Sequence, residues 1–183
     1  MKLLTWGYSK ARIWLAELPD WKYEAVEMVE REQMAKEGEG TELSCAAVEL
    51  FLPVGPRAYY GGLGAILVPE STGKLHVRVT VSSDKGQRFE EALTGTLDTV
   101  YKGLPREYGQ GILEGIMQFN EVQTLGSGML SFSYAVHGEI SSSVWFFQLI
   151  SRVVIRMLKG GTHVSSEEDV KGLLRLEIKQ PHL

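Results

Sequence analysis

The sequence predicts an α+β fold, a mainly antiparallel sheet with two helices packed on one face, and three stretches carry that prediction. Leu75, Val77, Val79 and Val81 alternate with His76, Arg78, Thr80 and Ser82, the two-residue period of a half-buried strand. Ile112, Ile116 and Phe119 recur at helical spacing, with Leu113 and Met117 widening the apolar stripe. Residues 144–159 are apolar almost all round, as in a helix with most of its circumference buried. Strands lead and the helices follow with a further strand between them. That order gathers helices on one side of an antiparallel sheet.

Residues 1–42 are the least legible. Trp6, Trp14 and Trp21, with Tyr8 and Tyr23 beside them, argue against a disordered tail. Residues 22–31 read as an acidic-faced helix or as a strand with Tyr23 and Ala25 on one side, and strand is preferred. Gly38 and Gly40, set among glutamates, mark a loop. Leu43–Leu52 reads as a strand that Pro53 ends, and Pro53, Gly55 and Pro56 make a turn. Residues 57–64, RAYYGGLG, then form a tyrosine- and glycine-rich loop. Ala65–Val68 is a short buried strand, turned at residues 69–73.

After the alternating strand, Asp84–Gly86 supplies a turn that suits a hairpin. Residues 88–101 look extended, with Leu93, Leu97 and Val100 reaching the core. Pro105 suits the first position of a helix, where its missing N–H would have no partner, and Glu107 lies near the positive end of the helix dipole. Gly109, Gly111 and Gly115 each cost that helix about 1 kcal/mol against alanine. Gly111 and Gly115 share a face, which admits a strand or second helix at close range, or else a backbone-lined ligand. Thr124–Gly128 is a loop, and Met129–Val136 a strand with Leu130, Phe132 and Tyr134 on one face. Ser141–Ser143 hold N-cap candidates for a helix Val144–Lys159 that Gly160 and Gly161 end. Residues 164–169 read as a polar loop, and residues 170–178 as a final strand or a short helix.

A chain of 183 residues with ordinary globular composition is read as one domain, 1–183. Its net charge is −4, and the acid is concentrated between Glu17 and Glu42, with no arginine or lysine block elsewhere. A nonspecific nucleic-acid binder would show a basic stripe or patch, which this balance does not advertise. Cys45 is the only cysteine, so no intrachain disulfide forms; in its apolar run a small buried side chain is the simpler reading than a nucleophile. Lys10 and Arg12 interrupt any signal-peptide core, and no apolar run reaches membrane-spanning length. A cytoplasmic setting with no membrane partner is the expectation.

At residues 100–117 and 131–158 the chain resembles domain IV of the elongation factor G and elongation factor 2 family. Gly103, Leu104, Pro105, Arg106, Glu107 and Tyr108 are similar to the family's Gly-x-x-Pro-(Lys/Arg)-Glu-Tyr helix start, and Gly115–Ile116 to its later Gly-Ile pair. His137, Glu139, Ser141 and Ser142 resemble the family's His-Glu turn and paired serines, although Gly138 intervenes here between His137 and Glu139. Residues 59–64 are similar in place to its first tip loop. The likeness spans about 43–159, which leaves 1–42 as an acidic, tryptophan-bearing extension and 160–183 as a C-terminal one. It implies a ribosomal protein S5 domain 2-type fold with a left-handed βαβ crossover. It also implies tip loops that touch tRNA and mRNA. The phosphate loop of the family's GTPase is absent, and the basic tip is replaced by YYGGLGAI.

Three groups of residues are candidates for binding. Tyr59, Tyr60, Gly61, Gly62 and Gly64 can stack on bases or hold an anion through backbone N–H groups, or simply form a hairpin loop that covers the sheet edge. His137 and Glu139, at two-residue spacing, suit an acid–base pair, or else a turn that caps the next helix through Ser141 or Ser142. Arg152, Arg156 and Lys159, with Gln148, line one stripe of the second helix, facing phosphates or, more simply, solvent. His76, His163 and His182 show no metal-ligand spacing, so no metal and no cofactor is expected, and no catalytic residue is assigned. The expected function is a non-enzymatic binding module, with RNA or the ribosome as partner. The alternatives are a protein-interaction or self-assembling module and, third, a small-molecule or phosphate-ligand enzyme.

Overall fold

The computed structural model describes residues 1–36, 41, 43–160 and 166–178. The strands are β1 (Lys2–Trp6), β2 (Ser9–Leu15), β3 (Glu27–Met34), β4 (Cys45–Val54), β5 (Arg57–Pro69), β6 (Lys74–Val81), β7 (Val100–Lys102) and β8 (Gly128–Gly138). The helices are α1 (Arg106–Met117), α2 (Val144–Gly160) and α3 (Glu167–Ile178), with a 3-10 turn at Asn120–Leu125. One sheet runs β1-β2-β4-β5-β8-β6-β3, and β7 pairs with the end of β8. Every pairing is antiparallel except β6 with β8, which is parallel; α1 lies in the connection between them. The architecture is thus α+β with a mainly antiparallel open sheet, and the three strands of residues 1–34 belong to that same sheet.

Alternation sorts the side chains onto two faces. On β4, Ala46, Val48, Leu50 and Leu52 enter the core beneath the helices, while Ala47, Glu49 and Phe51 face the other way. That second face carries a smaller cluster of Trp14, Trp21, Phe51, Tyr60, Leu93, Val100 and Val136, with Trp14 and Trp21 edge to face at 4.9 Å. On β8 the expected face breaks. Gly64 pairs with Tyr134 but Ala65 with Phe132, so Ser133 is an extra residue in a β-bulge. Leu130, Phe132 and Ala135 therefore join the main core, and Tyr134 and Val136 the smaller cluster.

Residues 57–64 are strand, not loop. They are the first two-thirds of β5, bonded to β4 throughout and, from Gly62 on, to β8 as well. The glycines serve close packing. A Cβ on Gly62 would lie 2.5 Å from Val136 and 2.7 Å from Trp21, and one on Gly61 would lie 2.9 Å from Ile150. The loop is instead the two-residue turn Gly55–Pro56, where Gly55 takes φ 59°.

Residues 22–31 are strand only from Glu27. Asp84–Gly86 makes no hairpin, because β6 pairs with β3 and β8. Residues 88–101 are mostly turns, with one bridge at Arg88 and β7; Leu93 and Val100 are buried but Leu97 is exposed. The loop expected at Thr124–Gly128 starts inside the 3-10 turn. The last segment is the helix α3, capped reciprocally by Ser166 and Asp169. Gly38, Gly40 and Gly161 lie outside the described residues.

Gly111 and Gly115 face α2 at Val144 and Gln148, and Gly109 faces β6 at Val81. The groove they make is filled by the second helix. Around α2 the sheet, α1 and α3 close most of the circumference, as its all-round apolar character requires. No helix among the described residues is long and apolar enough to cross a membrane.

Candidate functional site

The antiparallel register brings one end of the sheet to a focus. There β8 ends, α1 and α2 both begin, and the β4–β5 turn lies beside them. A depression of about 500 Å³ opens at that end, lined by Asp84, Lys85, Tyr101, Arg106, Glu107, Tyr108, His137 and Glu139. The helix start Pro105–Tyr108 and the turn His137–Glu139, far apart in the chain, thus share one wall.

His137 is buried as the floor. Its Nδ1 lies 2.9 Å from the carbonyl oxygen of Gly103 and its Nε2 3.0 Å from that of Asp84. Tyr101 and Tyr108 flank the ring, with centroids at 5.8 and 6.1 Å, and Tyr108 stacks on Phe147 of α2. Gly103 permits this arrangement. Its φ is 124°, and a side chain there would collide with Ser82, whose hydroxyl accepts the N–H of Leu104. Glu139 does not pair with His137; it binds Lys85 at 3.1 Å on the rim. Both imidazole nitrogens are taken by backbone, so the two side chains form no acid–base pair.

The serines divide the work of holding this end. Asp98 accepts from the backbone N–H groups of Ile140 and Ser141 and from the Ser141 hydroxyl. The Ser142 hydroxyl accepts the Gly138 N–H at 2.8 Å and donates to the Tyr60 carbonyl at 2.7 Å. Ser143 is the cap of α2, its Oγ accepting from the Phe146 N–H. Ser141 and His137 are not hydrogen-bonded to each other.

Tyr59 and Tyr60 point to opposite faces. Tyr59 packs edge to face against Trp145 at 5.4 Å. Tyr60 is fully buried and donates its hydroxyl to Glu49 Oε1 at 2.8 Å. The same carboxylate accepts the Leu93 N–H at 2.9 Å and Arg12 Nη1 at 3.0 Å. Burial pushes the Glu49 carboxyl above the usual carboxylate range despite these donors, and burial followed by the Glu49 charge pushes the Tyr60 phenol far up. Sequence reading missed Glu49; its one signal was a lone carboxylate inside the apolar run 43–52.

The arginines of the α2 stripe are covered. Arg156 donates twice to Glu121 of the 3-10 turn, at 3.0 and 2.8 Å, and Arg152 and Arg156 both lie over the Phe119 ring. Lys159 reaches Thr124 at 2.9 Å. The hydrogen bond from Arg156 holds the Glu121 carboxyl below its usual range. Arg152 and Arg156 therefore tie α2 to the segment after α1, while Lys159 stays exposed at its end.

Among the described residues no group of three or more histidines, cysteines or carboxylates is placed to hold a metal ion. No family profile, curated protein or solved structure matches the chain.

Proposed function

We propose that the chain is a non-enzymatic binding module, similar to elongation factor domain IV, that works through the end of the sheet where both helices begin. One observation carries the reading: of the two segments that resemble the family, Pro105–Tyr108 and the His137–Glu139 part of the second border a single depression. The parallel pairing of β6 with β8 around a helical connection supports a βαβ crossover, and its left hand is what the resemblance implies. RNA, presented by a ribosome in a cytoplasmic setting, is the partner. Lys85 and Arg106, ion-paired with Glu139 and Glu27 in the free chain, exchange those carboxylates for phosphate, and Tyr101 and Tyr108 supply rings to a base.

Co-sedimentation with ribosomes and a salt titration of RNA binding test this. Binding should weaken linearly in log–log form as salt rises. Replacing Arg106 by glutamine should weaken RNA binding and lower the salt slope by about one. No binding at low salt would sink the reading.

A further inference from the structure

Five large apolar side chains that stand out into solvent converge on this same end, away from the depression. Tyr8 (87% exposed) sits in the β1–β2 turn, Val54 (59%) ends β4, and Leu97 (73%) precedes Asp98. Ile140 (84%) lies between β8 and α2, and Trp145 (49%) in the first turn of α2. Register brings them together. Lys10 opposes Phe51, which sets the β1–β2 turn beside the β4–β5 turn. Val54 opposes Arg57, and Tyr59, two residues along that strand, touches Trp145. The Ile140 N–H binds Asp98, the neighbour of Leu97.

Charge at this end is unbalanced. Lys10 and Arg57 are exposed, and neither has a carboxylate partner among the described residues. Lys10 shares the face of Phe51, while Arg57 shares the face of Tyr59, so a cation flanks the apolar tips on each side of the sheet. The nearby acids are engaged: Glu139 by Lys85, and Asp98 by the 140–141 backbone and the Ser141 hydroxyl. Glu107 belongs to the depression on the α1 side.

We infer that this end docks on an anionic lipid surface. Ile140, Leu97, Tyr8 and Val54 enter the interfacial layer, Trp145 lies at headgroup depth, and Lys10 and Arg57 meet the lipid phosphates. The side chains protrude from separate turns and element ends, which suits a deformable surface better than a folded protein. Tryptophan and tyrosine are the residues of the membrane–water boundary. Three of the five tips, Val54, Leu97 and Ile140, are aliphatic and offer nothing for a base to stack on, which favours lipid over RNA at this patch. The absence of a spanning helix concerns crossing a bilayer, not lying on one.

Flotation of the whole chain with vesicles of phosphatidylcholine, with and without phosphatidylserine, tests the inference. Binding should require phosphatidylserine, should fall with salt, and should shift tryptophan emission to the blue, a shift lost in Trp145→Phe. Lys10→Glu and Arg57→Glu should each weaken binding about fivefold or more. Ile140→Asp, at an exposed position that leaves the circular dichroism unchanged, should abolish it. Failure to bind phosphatidylserine vesicles at low salt would overturn the proposal, as would equal binding to pure phosphatidylcholine or indifference to Ile140→Asp. A concentration-dependent dimer lost in Ile140→Asp, without vesicle binding, would assign the patch to a second copy. RNA binding unchanged in these variants separates the failure of this inference from that of the RNA reading.

Discussion

Replacing Gly111 by alanine should destabilise the protein, although the same change at Gly172 should stabilise it. Both glycines lie inside helices, and each alanine gains about 1 kcal/mol of helix propensity. What differs is the space beside them. A Cβ on Gly172 meets nothing within 4 Å, so the gain stands nearly whole. A Cβ on Gly111 would come closer than 3.0 Å to Val144 Cγ1, against roughly 3.5–4.0 Å for carbon atoms in contact. Val144 is β-branched, stiff at χ1, and opens α2. Relief therefore needs α1 and α2 to part, an overpacking cost of about 1–3 kcal/mol. Gly115 lies between the two cases, because its neighbours at 3.0 and 3.1 Å are the Cγ and Cβ of the flexible Gln148. Urea denaturation should rank the variants Gly172→Ala above Gly115→Ala above Gly111→Ala. Gly111→Ala should fall up to about 2 kcal/mol below the parent, equivalent to as much as roughly 8 °C in Tm for a chain of this size. If Gly111→Ala matched Gly172→Ala, the helix contact described above would be wrong.

Gly62→Ala should cost about 2–3 kcal/mol in the same assay, since Val136 and Trp21 occupy the space; a neutral outcome would return residues 59–64 to a loop. Leu93→Ala should cost about 2–4 kcal/mol, whereas Leu97→Ala should stay within about 0.5 kcal/mol, and equal effects would refute the turn structure of residues 88–99. Glu49→Ala should cost about 3–5 kcal/mol by stranding Arg12, the Tyr60 hydroxyl and the Leu93 N–H. Because burial raises the Glu49 carboxyl, the native state binds its proton more tightly than the unfolded chain does. Its contribution is complete below the ordinary glutamate range near pH 4 and is lost as pH rises through the raised value. Glu49→Gln, which mimics the neutral acid, should therefore gain on the parent as pH increases. A gap that widens with pH would reverse that sign.

Periodicity alone was enough for the elements whose two faces meet different surroundings. β6 alternates because one face lies under α1 and the other meets solvent, and α1 shows its stripe because only one side meets the sheet. Ser143 and the glycine face of α1 were legible for a similar reason, since capping and close approach depend on residues near in sequence. Residues 57–64 misled because glycine and tyrosine spell a loop when read locally. In the sheet, those glycines leave room for Trp21, Val136 and Ile150, which come from distant segments. The bulge at Ser133 reversed an alternation for the same cause: pairing with β5 set it, and no residue of β8 announces it.

What the chain determined by itself was the α+β class, the helix begun after Pro105 and the apolar character of α2, all consequences of side-chain spacing over a few turns. What only tertiary structure decided was which polar groups meet. Glu139 turned to Lys85 and not to His137, Arg156 turned to Glu121 and not to phosphate, and Glu49 became the buried tie among β2, β5 and the segment around Leu93. A charged side chain takes whichever partner the fold brings within about 3 Å, and strands as far apart in sequence as β2 and β7 acquire their neighbours only when the sheet closes.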